Sequence, residues 1–361
     1  MTLKRRYFLA LFMGAGGFAS LSACRPPASV SPAAPASLPL TASAVTNPAP
    51  PGMYAPPKGE IRLAVISDLN SQYGSTTYEP EVTLALRLLP QWQPDLVLCG
   101  GDMIAAQKRS LSSGQIRAMW AAFDRHIAAP LRQAQIPLGF TIGNHDGSGA
   151  LAGGKLSFAK DRELASAYWQ DPAHDPGLDF VDSTGFPFYY TFQQKGIFYL
   201  VWDASTAKIP DEVLNWAQES LQSAPARQAR LRLAIGHLPL YPVAVGRDGA
   251  GNYLNNAEAL RALLEKYQVH TYISGHHHAY YPAVRGELEL LHAGALGGGP
   301  RKLLNSSLPP RKTLTILDIT LKPLKIVDTT YNLKDLKVID PQTLPRQIVA
   351  PNGTIQRQSS P

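Results

Sequence analysis

Five apolar runs, spread over more than half of the chain, each end in side chains that carry oxygen or nitrogen lone pairs. Ile61–Ser67 runs into Asp68-Leu69-Asn70, Asp95–Cys99 into Gly100-Gly101-Asp102, and Pro137–Ile142 into Gly143-Asn144-His145-Asp146. Leu231–Ile235 runs into Gly236-His237-Leu238-Pro239, and Val269–Ser274 into Gly275-His276-His277-His278. Short apolar runs separated by helical periodicity read as buried strands. Open α/β folds place their sites at the carboxyl ends of such strands, so the pattern restricts both the fold and the place where chemistry occurs. Glycine precedes the polar group in four of the five, where it permits a sharp turn and close approach.

Helical patterns fill the intervals. They cover Glu79–Leu89 (with Thr76 or Thr77 near its cap), Gln115–Ala128 (broken or restarted at Pro130), Leu156–Gln170, Asp211–Gln222 beside Pro210, and Asn256–Tyr267. A hairpin is expected at Phe188–Gln193 and Ile197–Asp203 through Lys195-Gly196, and strands at Tyr280–Val284, Leu288–His292, Thr313–Ile319 and Leu324–Thr329. Alternating strands and helices followed by a run of strands predict a mixed-sheet α/β sandwich. Of the 361 residues, 45% are apolar, which excludes wholesale disorder. Two cysteines exclude a disulfide scaffold, and Cys99 in its apolar run reads as a small core residue.

The front of the chain has a different composition. Residues 1–23 read as an export signal: Lys4-Arg5-Arg6 precede a mostly apolar stretch, Tyr7–Ala23, that is short for a membrane span. Leu21-Ser22-Ala23-Cys24 resembles a lipoprotein processing site, which implies cleavage before Cys24 and acylation of its thiol; Arg5-Arg6-Tyr7-Phe8-Leu9 resembles a twin-arginine export signal. An ordinary N-terminal membrane anchor is the alternative, and either one tethers the protein to a membrane. Residues 24–59 form the lipid-anchor cysteine and a linker with ten prolines and no acid, expected to be extended and coreless. The folded domain is expected at 60–332 and a loosely ordered tail at 333–361. Net charge is +7, but without Lys4, Arg5 and Arg6 the balance is 31 basic residues against 27 acidic. That excess gives no support to nucleic-acid binding, and no sign of a protein partner stands out.

Carboxylate, amide oxygen and imidazole together suit divalent first-row metals. In an extended segment, His276 and His278 would point one way and His277 the other, which makes the outer two natural co-ligands. The order Asp68, Gly101-Asp102, Gly143-Asn144-His145-Asp146, His237, then Gly275-His276-His277-His278 resembles the calcineurin-like metallophosphoesterase family. The resemblance implies a four-layer sandwich, two mixed β-sheets flanked by helices, with a two-metal centre at the strand ends. It implies Asp102 as the carboxylate bridging the metals, Asp68 and His278 on the first metal with Asn70 in the third terminal position, and Asn144, His237 and His276 on the second. It also implies that His145 contacts the substrate phosphate and assists the leaving oxygen. Asn70 departs from the family, which commonly has His there; the first site is therefore expected to bind less tightly, or to favour Mn²⁺, Mg²⁺ or Fe²⁺ over Zn²⁺.

The implied activity is that of a dinuclear metal-dependent phosphoric ester hydrolase, with Mn, Fe, Zn or Mg as cofactor. It would act on a phosphomonoester or phosphodiester with a metal-bound hydroxide, outside the cytoplasm at the cell envelope and on the membrane through acylated Cys24. A non-catalytic metal- or ligand-binding lipoprotein on the same fold is the second reading. Other features admit two readings each. Gly297-Gly298-Gly299-Pro300-Arg301 is a plain turn or a phosphate cradle, and Gly153-Gly154-Lys155 a solvated loop or a lysine near substrate. Tyr241, Tyr280 and Tyr281 are packing residues or stacking platforms. Asp146 is a cap or a partner orienting His145, and Asp203 a turn residue or a partner of His237. His126 and His174 read as surface residues, His270 and His292 as strand residues.

Overall fold

The computed structural model of the chain describes residues 47–70 and 72–358. The export signal, Cys24 and the linker as far as residue 46 lie outside the described residues, and among those described no helix is long and apolar enough to cross a membrane.

Ile61–Ile66 is buried along its whole length, and its alternate side chains enter different cores. Leu63 and Val65 belong to one apolar cluster and Ala64 and Ile66 to the other. Leu96–Cys99 divides in the same way, with Leu96 and Leu98 on one side and Val97 and Cys99 on the other. Such strands must be covered on both faces, which is why they read as unbroken apolar runs. The two strands pair in parallel, Leu63 opposite Leu96 and Ile66 opposite Cys99, and Leu138–Phe140 adds a third parallel strand. Thr313–Leu321 pairs antiparallel on the other side of Ile61–Ile66, followed by Leu324–Asn332 and Lys337–Val338, to complete a six-stranded mixed sheet.

A second, nine-stranded sheet contains the parallel series Ile197–Val201, Leu231–Ile235, Thr271–Ser274 and Leu288–Ala293. One core fills the space between the sheets, where Leu63, Val65 and Leu317 of the first cluster with Tyr199, Val201 and Leu233 of the second. On the outer face of the six-stranded sheet lie Pro80–Trp92, Ser113–Phe123 and Ala159–Trp169. Pro80–Trp92 presents Val82, Ala85, Leu86, Leu89 and Trp92 at helical spacing. Asp211–Gln222 and Ala257–Lys266 cover the second sheet through Val213, Ala217 and Leu221 and through Leu260 and Leu264. Helices, two mixed sheets and helices make four layers, as expected.

Several boundaries differ, each for a physical reason. The helix expected at Glu79–Leu89 is Pro80–Trp92, and its N-cap, Glu79, makes no side-chain cap hydrogen bond, so neither threonine caps it. Around Pro130 the helix continues through a π-helical turn, Asp124–Ala128, into Ala129–Gln133; the wider turn accommodates a residue without an N–H. Leu151–Ala152 and Lys155–Leu156 form a small exposed hairpin turning at Gly153-Gly154, where Lys155 is solvated. The hairpin through Lys195-Gly196 forms, both turn residues with positive φ.

The ends of the domain also move outward. In the presumed linker, Pro50 and Pro56 are buried, and the carbonyls of Pro48 and Pro56 accept from the Arg62 guanidinium. Proline lacks a donor but keeps an acceptor, so a proline-rich stretch can seal a buried arginine. The described part of 333–361 is ordered, not loose. Gln347–Ala350 pairs with Gly353–Arg357, which pairs with Tyr280–Arg285 at the edge of the nine-stranded sheet, and Ile348 and Ile355 are buried. Alternating burial, in at Ile348 and Ala350 and out at Gln347 and Val349, is the half-buried strand pattern that the surrounding prolines and glycine obscured.

Candidate metal centre

The parallel strands of both sheets end at one place. Asp68 N–H donates to Gly101 O, Gly275 N–H to His237 O, and Gly236 N–H to Ile273 O, so four of the five strand-end loops are tied in two pairs through their backbones, and His276 N–H on Asp68 Oδ1 at 3.1 Å joins the pairs. The fifth, Gly143–Asp146, joins through His145 N–H, which donates to Asp102 Oδ1 at 2.9 Å. The glycines are needed here because the loops press together. A Cβ on Gly101 would stand 2.7 Å from His237 Nδ1, and one on Gly143 would overlap the Asp102 carboxylate. Asp68, Asp102, His276 and His278 have φ of 53°, 53°, 62° and 52°. Left-handed backbone costs a non-glycine residue roughly 1–2 kcal/mol, and four such residues in one cluster mark strain held in place for a purpose. The Gly275–His278 segment is thus a kinked turn, not the extended segment expected. His277 nevertheless points away, its Nδ1 accepting from Val243 N–H and its Nε2 facing Asn252 O.

The tautomers are set by carbonyls. His237 Nδ1 lies 2.7 Å from Gly100 O; a carbonyl only accepts, so Nδ1 carries the hydrogen and Nε2 of the neutral ring is a lone pair. Around that Nε2 stand Asn144 Oδ1 at 3.0 Å, His276 Nδ1 at 3.2 Å and Asp102 Oδ2 at 3.3 Å. Asn144 is oriented by Nδ2 donating to Gln107 Oε1 at 2.7 Å. His278 repeats the device: Nδ1 faces Gly299 O at 2.9 Å, and Nε2 meets Asp68 Oδ1 at 3.1 Å. Acceptors therefore outnumber donors in a buried space, an arrangement that a cation relieves. Two groups of donor atoms lie close enough to hold an ion, Asp102 with His237 and His276, and Asp68 with Asp102 and His278. Asp102 is common to both. The donor set, two carboxylates, an amide and three imidazoles, fits two divalent cations.

The electrostatics agree. Burial alone would lower the His237 pKa, but the Asp102 carboxylate outweighs it and raises it to about 9: without a metal ion, a proton takes the positive charge. Burial would raise Asp102, yet His237 and His145 hold it below the usual carboxylate range. His145 is lowered, by burial first, against the pull of Asp102. Its Nδ1 is buried with no partner among the described residues, and its ring stacks on Tyr73 at 5.0 Å.

Asn70 is differently placed. Its Oδ1 accepts from Gln72 N–H at 3.0 Å and its Nδ2 donates to Ser75 O at 3.1 Å, so the amide shapes the following turn, with one Oδ1 lone pair left over. Asp146 acts as a cap, Oδ2 accepting from Gly143 N–H and Oδ1 from Ile104 N–H. Asp203 pairs with Arg162 at 2.7 Å and holds Ser205, so Gly100 O rather than Asp203 orients His237. Tyr241, Tyr280 and Tyr281 are buried, with hydroxyls on Glu258, Asp328 and Pro345 O; they pack. The glycine loop is no open cradle, since Gly297 N–H is spent on Asp68 O and Arg301 N–H on His278 O. Gln107, Tyr73 and Arg247 went unread in the sequence; only their nearness to Asp102, Asp68 and His237 along the chain hinted at them.

A two-sheet sandwich with clustered carboxylates and imidazoles at its strand ends is the architecture of a metallophosphoesterase. The sequence matches the family described as Calcineurin-like phosphoesterase over residues 61–280, and the chain belongs to that family. Among solved structures it is similar to a purple acid phosphatase, PPD1, from yellow lupin seeds, at 17% identity and a TM-score of 0.57, covering 78% of this chain and 52% of that one. The chain thus spans about half the length of the lupin protein. It is also similar to GAP50, the anchor in the inner membrane complex of Plasmodium, at 12% identity and a TM-score of 0.49, covering 78% and 87%. A further match is the phosphopantetheinyl hydrolase PptH of Mycobacterium tuberculosis, at 13% identity and a TM-score of 0.40, covering 66% and 91%. No curated protein matches.

Proposed function

We propose that this protein is a metal-dependent phosphoesterase that hydrolyses phosphate monoesters or diesters at two divalent cations sharing Asp102. One observation carries the reading: Asp102 Oδ2, Asn144 Oδ1 and His276 Nδ1 converge within 3.3 Å of His237 Nε2, which the neutral ring's tautomer makes an acceptor. Asp68 and His278 would hold the first ion with Asp102, and Asn70 would add its remaining Oδ1 lone pair. Asn144, His237 and His276 would hold the second. When bound, the cations supply Lewis acidity that makes water nucleophilic near neutral pH and neutralise phosphoryl oxygens.

The chain's own residues do the rest. Gly100 O and Gly299 O keep the Nε2 atoms of His237 and His278 turned inward. Gln107 holds the Asn144 oxygen forward. His145, fixed by its N–H on Asp102 and by the Tyr73 ring, would hold a phosphoryl oxygen and, in its protonated form, hand a proton to the departing oxygen. Acylation of Cys24 after export would hold this domain at the outer face of a membrane, a reading that rests on the residues around Arg5-Arg6 and Cys24.

The test is turnover of p-nitrophenyl phosphate and its bis ester by the purified protein with Mn²⁺. Hydrolysis of either, abolished in Asp102→Ala, is expected. Metal binding without turnover on a broad phosphate panel would instead favour a binding protein. For the location, Arg5-Arg6 changed to Lys-Lys should block export of a reporter fused to residues 1–30; continued export would contradict it.

A further inference from the structure

Beside the metal centre lies a group in which donors outnumber acceptors. Arg247 Nη1 stands 3.3 Å from His276 Nε2. In the neutral ring only one nitrogen carries hydrogen. If Nδ1 is the lone pair facing His237 Nε2, as the metal reading requires, Nε2 carries the hydrogen. In that tautomer the 3.3 Å contact is no longer a hydrogen bond, and Arg247 Nη1 and the His276 Nε2 hydrogen are both left to turn towards an incoming oxygen. Arg247 has one protein partner, Asn252 Oδ1 at 3.0 Å, and its Nε is buried with none.

Arg301 approaches the same place from the loop that orients His278. Its backbone N–H holds His278 O, its Nε is buried without a partner, and its guanidinium reaches 3.8 Å from the Cβ position of Gly246, next to Arg247. Among the described residues, neither arginine pairs with a carboxylate. Burial and the neighbouring Arg247 charge both lower the Arg301 pKa, so the two cations repel one another with nothing between them. Several other arginines differ. Arg62, Arg132, Arg162, Arg261 and Arg285 each hold an acid.

We propose that Arg247, Arg301 and the outer edge of His276 form a subsite for a second anionic group of the substrate, a phosphoryl or carboxylate group apart from the one being hydrolysed. The subsite rests on the phosphoesterase reading, because that reading sets the His276 tautomer. Its position also separates it from the reacting phosphate. Nε2 is across the imidazole from Nδ1, so Arg247 stands off the metal ligands by the width of a ring. Guanidinium forks match the paired oxygens of carboxylate and phosphate, and a lone phosphate monoester between the metals would leave both forks empty. The preferred substrate is then a phosphate ester whose remainder is itself anionic.

Three aryl phosphates test this: phenyl phosphate, 4-carboxyphenyl phosphate and 4-(phosphonomethyl)phenyl phosphate, with Mn²⁺ and the full chain. Wild-type protein should favour one or both doubly anionic esters in kcat/KM by about 10- to 100-fold. Which of the two wins tells carboxylate from phosphoryl. Arg247→Gln/Arg301→Gln should erase that preference, bringing the ratio of kcat/KM for the doubly anionic esters to that for phenyl phosphate down to about one. Equal loss on all three esters, or no preference in the wild type, overturns the subsite. If only the bis(p-nitrophenyl) ester is hydrolysed the protein is a diesterase, and if none of the esters is hydrolysed the phosphoesterase reading fails; in both cases calorimetry with the matching non-hydrolysable phosphonates decides the subsite by the same ratio of affinities.

Discussion

The strand Ile61–Ile66 has a charged cluster near each end, and the two are built on opposite principles. Near its start, Arg62 is fully buried against Asp318. All five of its N–H groups are used: two on the Asp318 carboxylate and three on the carbonyls of Pro48, Pro56 and Trp92. Asp318 also takes Gly59 N–H. That cluster is closed, with every Arg62 donor spent and the Asp318 charge answered by the guanidinium. At the other end Asp68 opens into a group where acceptors exceed donors and the backbone is strained. Breaking a closed buried pair leaves an unpaired charge. In the open group a proton on His237 answers the Asp102 charge until a cation replaces it. Structure is held by the first kind of cluster and chemistry is available at the second.

The sharpest way to break this contrast is Asp102→Ala. Turnover should fall at least ~10³-fold, while the metal-free variant, which loses the Asp102 partner of protonated His237, still folds and loses less stability than Arg62→Ala. A metal-free variant that does not fold, or that loses more stability than Arg62→Ala, would make Asp102 a structural residue. His145→Ala should lower kcat by about 10²–10⁴-fold with metal stoichiometry unchanged; loss of a metal ion would show His145 to be a ligand. Arg62→Ala should do the reverse, costing about 3–5 kcal/mol in denaturant unfolding with kcat per folded molecule unchanged.

The smallest effect lies in a third cluster. Glu289 is pushed up to about 7 by burial and by Asp328, with Thr271 and Gln358 opposing, and His270 Nδ1 lies 3.5 Å away. Its folded pKa is raised, so ionising it costs stability as pH rises from the unfolded value near 4.5 towards 7. Glu289→Gln should therefore be neutral at pH 4 and gain about 1–3 kcal/mol at pH 8. An equal gain at both pH values would contradict the cause.

Most of the open cluster was legible in the sequence because strand ends are local. Each ligand follows its own apolar run, and parallel pairing brings those ends together. What sets the ligands' orientation was not legible. Gly100 O, Gly299 O and Gln107 act on rings and amides up to 137 residues away, and a carbonyl has no signature in sequence. Asn70 sits where the pattern puts a ligand, but its amide is drawn into the turn by Gln72 and Ser75. The closed cluster was invisible, since Arg62 and Asp318 meet only through the antiparallel register of Ile61–Ile66 with Thr313–Leu321. The strands at Gln347–Ala350 and Gly353–Arg357 form a local hairpin whose alternation the surrounding prolines and glycine masked, and its docking on Tyr280–Arg285 is long-range.

The central claim is that one carboxylate serves two cations, and counting the ions tests it most directly. Metal-free protein titrated with Mn²⁺ in a calorimeter should take up two ions per chain, and Asp102→Ala should lose high-affinity uptake at both. Two ions bound by the variant as tightly as by wild type, or fewer than one by the wild type, would contradict the account.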